Sequence, residues 1–329
     1  TAATITWSVN GTPQTPFNWT GSLTENTSEQ LNLGSYAFAA GGTYSLLFQI
    51  SSVNGGVLQL SALNDTIRLD SLRTAMAGEY TIGGETPDFQ TFAQAIASLY
   101  DLGVADAVTF LVRDSVYHEQ LYFYGAIDGA SASKPVLFRS ENMNAAAVEV
   151  LYDNGSVFYG EEVSFLQFEH LSFRAGYEYS YVVDARACNG FEWRNCRFTA
   201  APTSTNTNVY FSDITVGPVV EDCEFRYGTS GFYSYANNTA SGSILQRNTF
   251  QDVWQGIELS GYQVSPIVHQ NTIQASKGYA ALRFSSSRGS AQITNNTIIY
   301  QTNENQGAGI YYESGEDDPG FLIQFDMSV

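Results

Sequence analysis

Lysine is nearly absent from this chain: only Lys134 and Lys277 occur in 329 residues. Lysine and arginine together number 14 against 33 acidic residues, a net charge of −19. Such a balance excludes nucleic acid and anionic membrane surfaces as partners, because both would be repelled. No apolar run reaches the length of a membrane span. Three cysteines and three histidines are too few and too scattered for a zinc site. Nothing at the start reads as a signal peptide, so any such segment is expected to have been removed.

What is present is a repeat. The segments HLSF, NCRF, DCEF, RNTF, QNTI and NNTI end at Phe173, Phe198, Phe225, Phe250, Ile273 and Ile298, at steps of 25, 27, 25, 23 and 25 residues. Five residues before each landmark stand Phe168, Trp193, Val220, Leu245, Val268 and Ile293, all apolar. Four residues before stand Glu169, Arg194, Glu221, Gln246, His269 and Thr294, all polar. This alternation is that of half-buried strands. No helical stretch intervenes between repeats, so repeats of about 25 residues suit the coils of a parallel β-helix. Two residues before the landmark, Cys196, Cys223, Asn248, Asn271 and Asn296 form a column. Stacked in successive coils, it is read as a structural ladder. Cys196 and Cys223 are expected to be free, buried thiols within reach of each other.

Residues 1–62 read as a small β module with strands at ATITWSVNG, PFNWTGSLT, EQLNLGSYAFA and TYSLLFQISSVNGG, too short for a full immunoglobulin-like sandwich. Residues 63–80 read as a connector and 81–329 as the β-helix. One amphipathic helix is predicted at about 88–102, with Phe89, Phe92, Ala93, Ile96 and Tyr100 on one face, Asp88 near its start and Gly103 after its end. It would close the open end of the first coil.

The stretch GEYTIGGETPDFQTFAQAIASLYDLGVADAVTFLVRDSVYHEQL resembles the opening of right-handed parallel β-helix (pectin-lyase-like) proteins of Bacteroidetes-type bacteria, surface or secreted. The head, WSVNGTPQTPFNWTGSL with LNLGSYAF, resembles the second half of cell-adhesion-related immunoglobulin-like domains. The resemblance implies an all-β fold and an extracellular or cell-surface location. It implies a rigid rod presenting loops to a glycan or surface protein. The superfamily holds lyases, hydrolases, adhesins and passive stalks, so a polysaccharide lyase or glycoside hydrolase is the enzymatic alternative, and a self-assembling surface or filament subunit is a third reading. The last coil lacks a polar cap and the head lacks its first half. The chain is therefore expected to be part of something longer, or to self-associate through these edges.

For catalysis, the best-placed residues are Glu169, Arg194 and Glu221 in one outward column, with Asp222 beside them. They are read as an alternating-charge ladder, so no catalytic residue is assigned. His118, His170 and His269 lie apart and near no nucleophile. No cofactor is expected. The acidic loops, notably Asp153-Asn154 and Glu316-Asp317-Asp318, are candidates for Ca²⁺, and their spacing matches no calcium motif. Among 21 tyrosines, Tyr177, Tyr179, Tyr181, Tyr233 and Tyr235 cluster in a way that suits stacking on sugars or protein contacts.

Overall fold

Six successive coils each turn one corner on a residue in the left-handed backbone region. His170, Asn195, Asp222, Arg247, Gln270 and Asn295 hold φ between 53° and 56°. That conformation costs a non-glycine residue about 1–2 kcal/mol. The cost is offset because the strained residue donates its N–H to the next coil. His170 reaches Arg194 O at 3.0 Å, Asn195 reaches Glu221 O at 3.0 Å, and Arg247 reaches His269 O at 3.0 Å. The polar residues there tolerate the left-handed well better than β-branched ones would.

The computed structural model describes residues 1–57, 65–276, 280–286, 290–300, 308–313 and 322–326. It divides into Thr1–Met76 and Ala77–Val329. The second unit is a right-handed parallel β-helix with three sheets, of ten, eight and eight strands among the described residues. Sheet I includes Leu166–Glu169, Glu192–Arg194, Val219–Glu221, Ile244–Gln246 and Ile267–His269. Sheet II includes Val148–Tyr152, Ser172–Ala175, Arg197–Thr199, Glu224–Arg226 and Thr249–Val253. Sheet III includes Leu121–Tyr124, Phe158–Glu161, Val183–Arg186, Val209–Ser212, Ser230–Ser241, Gln255–Val264, Ala280–Ser285 and Ala308–Glu313.

Strand pairing stacks like on like. Phe168, Trp193, Val220, Leu245, Val268 and Ile293 are successive partners in sheet I. The landmark residues Phe173, Phe198, Phe225, Phe250, Ile273 and Ile298 are successive partners in sheet II. Their rings pile up along the core. Phe168 lies 4.1 Å from Trp193 at 12°, and Phe225 lies 4.5 Å from Phe250 at 9°. From Phe168 to Ile293 and from Phe173 to Ile273 these side chains are essentially inaccessible, Ile298 being partly exposed, and burial of each stabilises the fold by about 1.5–3 kcal/mol.

The cap helix runs Phe92–Leu102, and Thr91 is its N-cap, accepting from Gln94 N at 3.2 Å. Asp88 is not the cap. Its carboxylate instead accepts both the Thr81 N–H and hydroxyl at 2.8 Å, tying the preceding turn back to Met76–Ile82. Glu119 takes the place a first-turn acid would fill, accepting Phe92 N at 3.3 Å and Ala93 N at 3.0 Å. The buried face is Phe92, Ala95, Ile96 and Leu99, whereas Ala93 points to solvent and Tyr100 is half-buried. Phe92 packs on Tyr117 at 5.1 Å and on Phe138 at 5.9 Å, sealing the first coil.

The first unit is a six-stranded antiparallel sheet. Ala2–Val9 and Thr43–Val53 form its centre, with Trp7 opposite Phe48 and Ile5 opposite Ile50. The stretch 29–39 does not form the strand its alternation suggested. Its rings cluster instead, Phe38 standing 4.8 Å from Tyr44 and 5.0 Å from Tyr36. The expected connector is also partly strand. Thr66–Arg73 alternates and pairs with Thr43–Val53, and Met76–Ile82 ends sheet I.

Candidate functional site

The sheet I column that carried the enzymatic candidates is an ion-pair network. Glu169, Arg194 and Glu221 are register partners in that order. Arg194 binds Glu221 at 3.1 Å and also bonds Glu192, two residues back on its own strand. Asp222 stands at the corner and accepts two bonds from Arg247, both 2.8 Å, and Arg247 also lies 4.0 Å from Glu221. Glu221 and Asp222 are therefore each matched to a guanidinium.

The structural column beside it is continuous from thiol to amide. Cys196 N–H points to Cys223 Sγ at 3.4 Å, and Cys223 N–H donates to the Asn248 side-chain oxygen at 2.9 Å. Asn248, Asn271 and Asn296 continue it coil by coil. All three cysteines are free and buried. Burial pushes the Cys188 thiol up to about 12 and raises Cys223 strongly, the neighbouring Cys196 adding to the effect.

The five tyrosines singled out from the sequence separate into two places. Tyr177 and Tyr179 form an exposed edge-to-face pair at 5.5 Å in the turn before sheet III. Tyr181, Tyr233 and Tyr235 belong with sheet III. There Tyr181 stacks on Tyr210 at 5.0 Å and 18°, and Tyr210 meets Tyr233 at 5.4 Å.

Sheet III carries a pattern that the sequence reading missed. Outward positions along one column are Tyr122, Tyr159, Asp184, Tyr210, Tyr233, Glu258, Arg283 and Tyr311, each the register partner of the next. The inward neighbours, among them Phe158, Val209, Phe232 and Ile257, are in the core. The signal was an apolar residue followed by tyrosine, as in Leu121-Tyr122, Phe158-Tyr159, Val209-Tyr210 and Phe232-Tyr233.

The column is mostly aromatic from Tyr122 to Tyr233, with Asp184 among the rings, and continues through Glu258 and Arg283 to Tyr311. Tyr122 stacks on Tyr159 at 5.3 Å and 9°, with Tyr122 half exposed and Tyr124 beside it more so. The Tyr159 hydroxyl donates to Glu161 at 2.6 Å, and Arg186 stands over the Tyr159 ring at 5.6 Å. That bond to Glu161 pushes the Tyr159 hydroxyl up to about 12. Asp184 is almost wholly buried between flanking rings and accepts two bonds from Arg186, at 3.0 and 2.9 Å. Further along, Glu258 accepts from Gln255 at 2.7 Å and from Arg283 at 2.9 Å, and Arg283 reaches on to Glu313 at 3.2 Å. Burial raises the Glu258 carboxyl above the usual range, and Arg283 opposes the shift. Ser260 donates to the Tyr233 hydroxyl at 3.1 Å.

This face offers flat, partly exposed rings beside fixed hydrogen-bond acceptors. Rings meet the C–H faces of sugars, and carboxylates accept their hydroxyl protons. Among the described residues no group of three or more His, Cys, Asp or Glu side chains is placed to hold a metal ion. Of the Ca²⁺ candidates, Asp153-Asn154 lies in the turn after Val148–Tyr152. The acidic run at 316–318 lies outside the described residues. No helix among the described residues is long and apolar enough to cross a membrane.

No curated protein sequence matches the chain. Among solved structures, it is similar to the pectin methylesterase of Aspergillus niger in deglycosylated form at 12% identity and a TM-score of 0.36, covering 77% of this chain and 86% of that one. The catalytic domain of a GH87 alpha-1,3-glucanase bound to nigerose matches at 12% identity and a TM-score of 0.23, covering 98% and 86%. The Agl-KA catalytic domain matches at 10% and 0.24, covering 99% and 84%. No residue role is carried over from these likenesses. Residues 150–322, more than half the chain, match the family described as the right handed beta helix region, and the chain belongs to that family.

Proposed function

We propose that this chain is a non-catalytic, glycan-contacting β-helical rod from a secreted or surface protein of a Bacteroidetes-type bacterium, with an immunoglobulin-like head. Sheet III is its contact face. The observation that carries this reading is the recurrence of tyrosine at register-equivalent outward positions, Tyr122, Tyr159, Tyr210 and Tyr233. A core has no need of outward rings, and regular spacing along a rod suits a repeating polymer. Retention by immobilised polysaccharides in native affinity gels tests it. The protein should be retarded, Tyr210→Ala should weaken retention about tenfold, and the polymer should remain intact. Retention that Tyr159→Ala and Tyr210→Ala both leave unchanged rejects sheet III as the contact face.

One observation favours a second reading, a polysaccharide hydrolase or lyase. Glu258 is the acid in this face whose carboxyl burial raises, as a general acid requires. Reducing or unsaturated ends released from a polysaccharide, and lost in Glu258→Gln, would establish that reading in place of the first.

A further inference from the structure

The charge pattern of sheet III selects among glycans. Its outward side chains include four carboxylates, Glu161, Asp184, Glu258 and Glu313, against two guanidiniums, Arg186 and Arg283. Neither guanidinium is left over for a ligand. Arg186 is spent on Asp184 in a two-bond fork and stands 5.6 Å from the Tyr159 ring centroid. Arg283 bridges Glu258 and Glu313. A uronate or sulfate arriving here would meet a surplus of negative charge, with each guanidinium already paired to carboxylates and the one unpartnered nitrogen, Arg283 Nε, buried.

The neighbouring face does not supply one. Sheet II bears Arg174, Arg197 and Arg226, the last two lining a groove of about 340 Å³. Arg174 forks onto Glu149 at 2.8 Å, Arg197 binds Glu224 at 3.1 Å, and Arg226 lies 3.6 Å from Asp252. The chain as a whole carries −19. A polyanion is thus disfavoured locally and at long range.

What the face does offer is hydrogen-bond acceptance. Glu161 takes one proton from Tyr159 and keeps further lone pairs, and Glu313 stands half exposed beyond Arg283. Such acceptors suit hydroxyl groups, which donate without bringing charge. We infer that the ligand of the sheet III face is an uncharged, hydroxyl-rich polysaccharide, and that polyuronates and sulfated glycans are excluded. This rests on sheet III being a glycan-contacting face.

The test compares two sets of probes on the whole chain. Dextran, xyloglucan and galactomannan form the neutral set; polygalacturonate and chondroitin sulfate form the anionic set. Retention is measured for the native protein, Tyr210→Ala and the double variant Arg186→Gln with Arg283→Gln. At least one neutral polymer should retain the native protein, with affinity changing less than about twofold between low and high salt, and Tyr210→Ala should weaken it about tenfold. Neither anionic polymer should retain it. Retention by an anionic polymer that falls with salt and disappears in the double arginine variant overturns the ligand class but leaves the contact face standing. Absence of retention by both sets, or retention indifferent to Tyr210→Ala, removes the contact face itself and the ligand class with it.

Discussion

The Asn248 side-chain amide donates to the Asn271 side-chain oxygen at 3.0 Å, and the same oxygen accepts the Asn248 backbone N–H at 2.9 Å. One side chain thereby satisfies two donors of the adjacent coil. Its own amide reaches the Leu245 carbonyl at 3.0 Å and the Asn296 oxygen at 3.0 Å. Replacing Asn271 by Leu strands a buried N–H, an amide hydrogen and a carbonyl at once. The expected loss is about 2–4 kcal/mol, read as a lower urea midpoint. A loss below about 0.5 kcal/mol would mean the ladder is decoration.

The thiol end of that column predicts chemical silence. Cys188, Cys196 and Cys223 are each about 1% exposed, and burial holds Cys188 and Cys223 in the unreactive protonated form. A chromogenic disulfide reagent should find no reactive thiol in the native protein and three in denaturant. Cys223→Asn would carry the amide ladder one coil further and should change stability by less than about 1 kcal/mol. Cys223→Leu removes the acceptor for Cys196 N–H and should be worse. The reverse order would contradict the ladder's logic.

Arg194 separates scaffold from the proposed contact face on sheet III. Its removal leaves Glu192 and Glu221 facing each other, so Arg194→Ala should cost about 1 kcal/mol at low ionic strength, because the pairs are partly exposed. Thermal melts should show the deficit shrinking in high salt. Glycan retention should be unaltered, and a parallel loss of retention would move the contact face to sheet I.

Tyr159 gives a pH signature. Its hydroxyl pKa is raised in the folded protein to about 12 from an ordinary 10.0, chiefly by the bond to Glu161. A group raised on folding stabilises fully below its unfolded value. The contribution of this bond is therefore intact below pH 10 and is lost as pH climbs through 12. Ultraviolet titration should show a late-ionising tyrosine that is missing in Tyr159→Phe. That variant should also lose less stability than the native protein between pH 10 and 12.

The fold was legible where turn length is constant. From Leu166–Glu169 onward the corner between sheets I and II takes two residues, as at Asn195-Cys196 and Asp222-Cys223. Phe168, Trp193 and Val220 therefore keep a fixed distance from Phe173, Phe198 and Phe225, and two sheets emerge from counting. The corner into sheet III varies. Phe198 is followed by its sheet III strand at Val209, but Phe225 by one that already includes Phe232. The period is lost there, and with it the column holding Tyr122, Tyr159 and Tyr210. Asp88 misled for a local reason: its carboxylate was nearer to Thr81 than to the helix it precedes. Thr66–Arg73 was passed over because its charged residues, Arg68 and Asp70, hide an alternation that tertiary pairing completes.

The hydrogen bonds joining successive coils, such as His170 N to Arg194 O, run along the axis of the β-helix. Tension applied along that axis falls on one coil's bonds before it reaches the next, so the rod should unwind from an end like thread from a spool. Each released coil of about 25 residues lengthens the chain by roughly 80 Å, given about 3.3–3.6 Å per extended residue less the spacing of one strand. A β-helix built this way yields in steps under load, taking up slack while the remaining coils keep their faces intact.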